Sequence, residues 1–391
     1  IDYRLRSADF TPAGGIRWLG TSIASLSNLQ RVLVVGSNLR KDHPLFAQRI
    51  RQATRKGAAV SVIASSNELA SRDAWALSLA SVTTVAASGW AQALADVATA
   101  IGAEKGVSAP ASGNASDEAK AFAQSLLGGE RKAILLGNAA AHHADASRLL
   151  ALAQWIGEQT GASVGYLTEA ANTVGAQWAN AVPGANGLNA GQMLSGGLKA
   201  VLLLNNEPEF DSAAGARAAA GLEHAQMVVT LSPFKANLAI SDVLLPIAPF
   251  TETPGTFVNA EGRIQSFHAV VKPRGEARPA WKILRVLGNM LGLSNFDFET
   301  AQDVLASVRG ADAGATHVAA DRLSNAAPAS VDLSKAAVAG AAAPVTASIY
   351  QLDGLTRRAT SLQLTADARG AAHAAIGVRP GPHPELDEVA A

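Results

Sequence analysis

The sequence predicts an α/β fold, doubly wound on mostly parallel sheets, and three features of the residue pattern predict it. Short apolar, β-branched runs of strand length alternate with Ala-rich stretches whose apolar positions recur at helical spacing, the pattern of a parallel sheet covered on both faces. Several of these runs lead straight into small polar residues, as strands in open parallel sheets do. Hydrophobic residues make up 48% of the 391, enough for two or three domains with proper cores.

Taken in order, Arg31–Val35 (RVLVV) reads as a buried strand ending at Gly36-Ser37-Asn38. Pro44 suits the first turn of a helix running to about Lys56, and Gly57 suits its C-terminal cap. Leu45, Phe46, Ile50 and Ala53 share one face of that helix. Val60–Ile63 is the next strand and completes a βαβ unit. Further strands are predicted at Val82–Ala86 and Ala133–Leu136, with helices near Ala91–Ile101, Asp117–Leu127 and Asp145–Gln159. The Gly/Ser/Ala-rich stretch 102–116 reads as a linker, and the Gly- and Asn-rich Gly184–Gly197 as a boundary. Beyond it Lys199–Leu204, Met227–Leu231 and Asp242–Leu245 are strand-like, with a polar helix near Ser212–Ala220. Phe257–Val271, with Glu261-Gly262-Arg263 at its turn, reads as a β-hairpin, and Pro279–Leu293 as an amphipathic helix. From about Gly310 the chain is Ala/Ser/Val-rich and weakly patterned, and Ala326–Ala347 is low in complexity.

Composition removes several function classes. Lys+Arg and Asp+Glu both number 32, which argues against a nucleic-acid binder with its basic excess. Only 16% of residues are charged, and so uncharged a surface favours association with partners. The absence of cysteine excludes disulfides, thiolate zinc sites and cysteine-ligated iron–sulfur clusters. Residue 1 is isoleucine, so the natural start is expected to lie upstream. No secretory signal opens the chain, and no apolar run approaches the roughly 18–20 residues of a membrane helix.

The candidate sites are weak as local motifs. Gly36, Ser37 and Asn38 follow a strand, where a phosphate would be cradled, but GxGxxG and GxxxxGK[ST] are both absent. The second strand ends Ile63-Ala64-Ser65-Ser66, with no ribose-gripping carboxylate before Glu68. VLVVGSN (32–38), AILLGNA (133–139) and AVLLLNNEP (200–208) echo one another, through ligand-crevice geometry or through the common need to leave a strand by a tight turn. His142-His143 with Asp145 has no HExxH or His-x₃-His spacing and reads as a solvated helix start. Glu252 and Glu261 read as a local hydrogen-bond acceptor and a hairpin-turn residue rather than an acid/base pair. The basic cluster from Arg40 to Lys56 reads as a solvated helix face or a face docked on an acidic neighbour.

Ser241–Gln265, SDVLLPIAPFTETPGTFVNAEGRIQ, resembles the A-D-V-V-L-P … E … G-T-F-x-N-x-E-G-R-x-Q segment of the molybdopterin oxidoreductase superfamily. The variant IAPFTETPGTFVNAEGR is similar to that of the large iron–sulfur subunit of bacterial NADH:quinone oxidoreductase, respiratory complex I. VLVVGSNLRKDHPLFAQRIRQATRKGAAVSVI (32–63), LLNNEPEFD (203–211) and RRATSLQLT (357–365) are similar to the same polypeptide. In active members of the superfamily, the resemblance implies, the first strand is followed by Gly-x-Asn-Pro and the second by an acidic residue on the guanine dinucleotide. Here Gly36 and Asn38 match, but Leu39 and Ala64 stand at the proline and acid positions. The molybdenum ligand would fall near Arg4–Phe10, which offers only Ser7 and Asp9.

The resemblance thus implies molybdopterin oxidoreductase-like domains: a Rossmann-like lobe over 1–190 with a linker near 102–116, a smaller α/β lobe over 191–310 with hairpin 257–271, and an Ala-rich, weakly ordered tail over 311–391. It implies a non-catalytic, cofactor-free relic within an assembly that passes electrons from NADH to quinone, with Gly36, Ser37 and Asn38 as a relic pocket, no metal site and no molybdopterin. The parent's [2Fe–2S] and [4Fe–4S] clusters would lie in an upstream N-terminal part. Its partners would be other peripheral-arm subunits of complex I, with no nucleic acid and no membrane insertion, on the cytoplasmic side of the bacterial inner membrane. The alternatives are an active molybdopterin-dependent oxidoreductase domain and a nucleotide-binding module.

Overall fold

A computed structural model describes residues 15–66, 76–184, 186–212, 214–215, 217–310, 314–335, 349–366 and 368–369. Ser7, Asp9 and Glu68 lie outside the described residues. The chain divides into two compact units, Ile1–Gly187 with Pro246–Pro344, and Leu188–Leu245 with Val345–Ala391.

The first unit is built on five strands, β1 (Arg31–Val35), β2 (Ala59–Ala64), β3 (Ser81–Thr84), β4 (Lys132–Leu136) and β5 (Ser163–Tyr166), in the order β3-β2-β1-β4-β5. All four pairings are parallel. Four longer helices alternate with these strands: α2 (Pro44–Thr54), α3 (Trp90–Lys105), α4 (Asp117–Leu127) and α6 (Ala146–Thr160). Two single-turn helices, α1 (Leu39–Asp42) and α5 (Asn138–Ala141), leave the ends of β1 and β4. The period-two alternation of strand side chains divides the core in two. Leu33, Val35, Ile63, Ile134 and Leu136 pack on one face with Trp90, Leu94 and Ile101 of α3, Phe122 of α4 and Leu149 and Ile156 of α6. Val32, Val34, Val60, Val62 and Leu135 pack on the other with Leu26, Leu39, Ala47 and Ile50. Burying each large aliphatic chain of this kind contributes about 1.5–3 kcal/mol. Helices thus cover both faces, as a doubly wound fold requires.

The helix α7 (Thr173–Trp178) and the hairpin β9 (Gly255–Val258) and β10 (Ile264–Phe267) also belong to this unit, the two strands pairing antiparallel. The hairpin was expected in a second lobe over 191–310, but long-range bonds tie it to the first unit. Val258 and Ile264 pack with Ile16, Val174 and Trp178. Asn172 Oδ1 accepts the Val258 N–H at 2.8 Å, Ala260 O accepts the Leu19 N–H at 2.8 Å, and Glu261 Oε2 accepts the Ile23 N–H at 2.7 Å. The helices α11 (Ala280–Met290) and α12 (Ala301–Arg309) follow.

The second unit has a smaller sheet, β6 (Ala200–Leu204), β7 (Met227–Ser232) and β8 (Val243–Pro246), in that order, with β6 and β7 parallel. Leu203, Leu222 and Val228 form its core. Its helices are α8 (Ala190–Met193), α9 (Pro208–Asp211), α10 (Arg217–Leu222), α13 (Ile349–Leu352), α14 (Gly354–Arg358) and α15 (Thr360–Gln363). The last three fall in the stretch expected to be a weakly ordered tail, over the part, Tyr350–Leu364, where the sequence pattern recovers. Arg357 and Arg358 hold them by ion pairs to Glu207 and Asp211, contacts that local composition does not encode. Most of the remaining predicted strands and helices lie within a few residues of their predicted bounds; the expected linker is confined to 106–116, because α3 continues to Lys105 before Gly106 caps it at φ +69°.

Candidate functional site

In an open parallel sheet the ligand crevice lies at the strand C-termini, where the winding direction reverses. The order β3-β2-β1-β4-β5 puts that point between β1 and β4, so Gly36-Ser37-Asn38 and Gly137-Asn138 face each other across it. The backbone closes this crevice. Gly137 N–H donates to Val35 O at 2.8 Å and Ala139 N–H to Gly36 O at 3.0 Å. Gly36 turns the chain with φ +62°, a conformation that favours glycine, and a Cβ there would lie 2.7 Å from the Trp90 ring. A Cβ on Gly137 would lie 2.2 Å from Ser37 Cβ and 2.6 Å from Gly36 O.

The donors of this turn already have an anion. Ser37 Oγ donates to Asp42 Oδ2 at 2.9 Å, and the Asn38 N–H donates to the same oxygen at 2.9 Å. Asn38 Oδ1 in turn accepts the Lys41 N–H at 3.2 Å as the cap of α1. Ser37 and Asn38 are both buried. Leu39, where the resemblance expects proline, is fully buried in the core. Ala64, where it expects an acid, is likewise buried at the end of β2. The residues present therefore do not fit a phosphate-bearing cofactor in this turn: a carboxylate of the chain occupies its donors.

The same device recurs at the end of β6. There the Glu207 N–H donates to Asp211 Oδ2 at 2.8 Å, again across four residues and again around a single-turn helix. Of the two explanations for the echoed strand ends, local turn chemistry accounts for these two.

Beside the crevice lies a set of buried histidines. His142 and His143 were expected at a solvated helix start; they are only 9% and 2% exposed, a difference caused by distant partners. His142 Nε2 pairs with Glu169 Oε2 at 2.5 Å, while His143 Nε2 bonds Ala87 O at 3.1 Å and its Nδ1 accepts the Asp145 N–H at 2.9 Å. The rings diverge to different partners, and among the described residues no three His, Asp or Glu side chains converge on a metal site. Burial lowers the pKa of His43 to about 4, against the raising influence of Asn138 and Glu169, so the ring is neutral at pH 7.

Glu252 Oε2 accepts the Arg274 N–H at 3.1 Å, and Glu261 reaches past the turn to Ile23, so each carboxylate has a structural partner. Sequence reasoning missed Asp42, His43, Trp90 and Glu169. Only Asp42 carried a local signal, an acid four residues after a capping asparagine.

A molybdopterin oxidoreductase family model matches residues 2–290. This chain belongs to the molybdopterin oxidoreductase family. Among the relatives of this family member, the NADPH-Fe(3+) oxidoreductase subunit alpha of Geobacter sulfurreducens is 32% identical over 119 residues, 29% of this chain and 14% of that one. The mitochondrial NADH-ubiquinone oxidoreductase 78 kDa subunit of Candida albicans is 47% identical over 53 residues, 14% of this chain and 7% of that one. The matched stretches thus span a small part of both relatives. Acetylene hydratase from Pelobacter acetylenicus shares the fold, with a TM-score of 0.51 at 14% identity, over 74% of this chain and 53% of that one. No helix among the described residues is long and apolar enough to cross a membrane.

Proposed function

We propose that this molybdopterin oxidoreductase-family chain is a non-catalytic structural module of the large iron–sulfur subunit of respiratory complex I, NADH:quinone oxidoreductase. The observation that carries the cofactor-free part of this reading is the Asp42 carboxylate seated on Ser37 and Asn38. A dinucleotide phosphate in that turn would meet a fixed negative charge where it needs a donor, and the turn would have to give up both bonds to admit it. Ala64 adds a second deficit, since a methyl group cannot accept from a ribose or a base. The complex I part rests on the segment Ile247–Arg263, IAPFTETPGTFVNAEGR, and on the likeness to the 78 kDa subunit of Candida albicans.

On this reading the module packs against other peripheral-arm subunits at the cytoplasmic side of the bacterial inner membrane. The iron–sulfur clusters of the parent reside outside these cysteine-free residues. Elemental analysis of the chain, purified within its native assembly, tests the proposal. Iron without molybdenum is the expected result. Stoichiometric molybdenum bound to this subunit overturns it and returns the working molybdopterin oxidoreductase.

A further inference from the structure

The other edge of the five-stranded sheet, where its strands begin, has the opposite character. A cleft of about 180 Å³ opens there, lined by Asn28, Gln30, Arg31, Lys56, Gly57 and Arg131. Three segments supply its cations: the start of β1, the turn after α2 and the residue before β4. Each cation is fixed by a bond to the polypeptide. Arg31 Nη1 donates to Gln30 O at 2.8 Å and Arg131 Nε to Asn28 O at 2.6 Å, and Lys56 Nζ donates to Ser27 O and Asn28 Oδ1 at 3.3 Å each. None of the three forms an ion pair among the described residues.

Lys132, register partner of Arg31, extends the strip along the edge. Burial, then the charges of Lys105 and Arg31, hold its ammonium below the ordinary lysine range, so these cations lie within one another's fields. The bland account is that such cations offset helix C-termini, since helices returning between parallel strands end at this edge. The ends of α2 and α4 amount together to roughly one negative charge. The exposed Glu130 supplies one more. Against them stand Arg31, Lys56, Arg131 and Lys132, so the edge at β2, β1 and β4 keeps a positive excess. Beyond β4, Lys105 bonds Gln159 O, and Glu104 and Glu158 stand in the last turns of α3 and α6.

From this we infer that the β2–β1–β4 edge is the docking site for an extended, carboxylate-rich polypeptide segment. Length decides against a single small anion. Three adjacent strand starts span about 10 Å, as do three or so residues of extended chain, whereas a phosphate spans only a fraction of that. Planar guanidiniums are suited to carboxylates, two N–H bonds to two oxygens, and rigid backbone-anchored ones lose little freedom on binding. The site makes no use of the closed crevice and stands whether or not the parent is complex I.

Fluorescence anisotropy with a fluorescein-labelled hexaglutamate peptide and the full chain, at low ionic strength, tests it. Saturable binding is expected, and Lys56→Gln with Arg131→Gln is expected to weaken it by about tenfold or more. Arg55→Gln, on the same helix end but outside the cleft, is expected to stay within about twofold. Inorganic phosphate is expected to displace the peptide only at far higher concentration. Absence of saturable binding, an equal loss in Arg55→Gln, or phosphate as effective as the peptide overturns the inference. If the double variant melts at lower temperature, Lys56→Gln alone replaces it, and unchanged affinity then overturns the inference.

Discussion

Replacing Glu207 with glutamine should release the C-terminal helices α13–α15 while leaving the first unit intact. Glu207 receives three charge-assisted bonds: Arg357 Nη2 to Oε1 at 2.9 Å, Arg358 Nη1 to Oε1 at 2.9 Å and Arg358 Nη2 to Oε2 at 3.0 Å. The Glu207 side chain is only 14% exposed. Removing one partner of a buried pair costs about 3–5 kcal/mol. Three features reduce that here. Glutamine keeps one acceptor oxygen, Arg357 keeps its 3.5 Å contact with Asp211, and the guanidiniums remain stacked on Phe210 and Phe234 at 4.5 and 4.2 Å. A loss of about 2 kcal/mol remains, which speeds exchange through local opening by about 30-fold. Hydrogen exchange followed by mass spectrometry on peptides from 349–366 reads it directly, with peptides from β1 and β4 as the internal reference. Burial raises the Glu207 pKa, but the Arg358 hydrogen bonds and the two guanidinium charges outweigh it, and the net direction is down. A carboxylate whose folded pKa is depressed gives stability that is present above the unfolded pKa and is lost as pH falls through the folded one. Protection of the wild-type tail should therefore fall on acidification below about 4.5, and the glutamine variant should not follow it. Equal protection in the two proteins at neutral pH, or equal acceleration in β1 and β4, would show that Glu207 does not hold the clasp.

Three further outcomes follow from the closed crevice and its surroundings. Gly137→Ala puts a methyl group 2.2 Å from Ser37 Cβ, and this overpacking should cost about 1–3 kcal/mol or more, seen as a lower melting temperature; an unchanged midpoint would mean the two turns are not in contact. Asp42→Ala leaves the buried Ser37 hydroxyl and the Asn38 N–H without their acceptor, which should cost about 1–3 kcal/mol; millimolar phosphate should restore part of that loss in the variant and leave the wild-type midpoint unmoved, and a wild type that responds equally would show the donors are open. His43 has a folded pKa of about 4 against an unfolded value near 6.5, so the unfolded chain binds more protons between those values and stability falls as pH drops through that window, by up to about 3 kcal/mol. Urea midpoints taken across it should shift less in His43→Asn, and an identical slope in the variant would assign the pH dependence to another group.

Much of the first unit was legible because its strands are buried on both faces and its longer helices carry one apolar stripe. The strand β5 was not, because SVGY lacks a continuous apolar run. Packing explains that composition: a Cβ on Gly165 would lie 1.7 Å from Leu19 O, and the Tyr166 N–H bonds Trp18 O at 2.9 Å, so close backbone approach has replaced the side-chain signature. The turn Gly36-Ser37-Asn38 was legible as a strand end with missing gripping groups; that its donors were already taken was not, since it depends on one carboxylate folding back through α1. His142 and His143 were misplaced for a related reason. Their neighbours read as a polar helix start, while their burial is imposed from Glu169 and Ala87, 27 and 56 residues away.

The two carboxylate-filled turns show how a strand-to-helix turn can satisfy its own donors from within the chain. Backbone N–H groups at a strand-to-helix turn attract any anion, and burying them without an acceptor costs about 1–3 kcal/mol each. A bound phosphate meets that need only while the ligand is present, whereas an aspartate four residues along meets it permanently and fixes the single-turn helix as well. At Asn38 the device fills the turn beside the closed crevice. At Glu207 the backbone N–H goes to Asp211, and the Glu207 side chain is left to gather Arg357 and Arg358. Once the turn is satisfied from within, its neighbouring charges serve to hold the chain together.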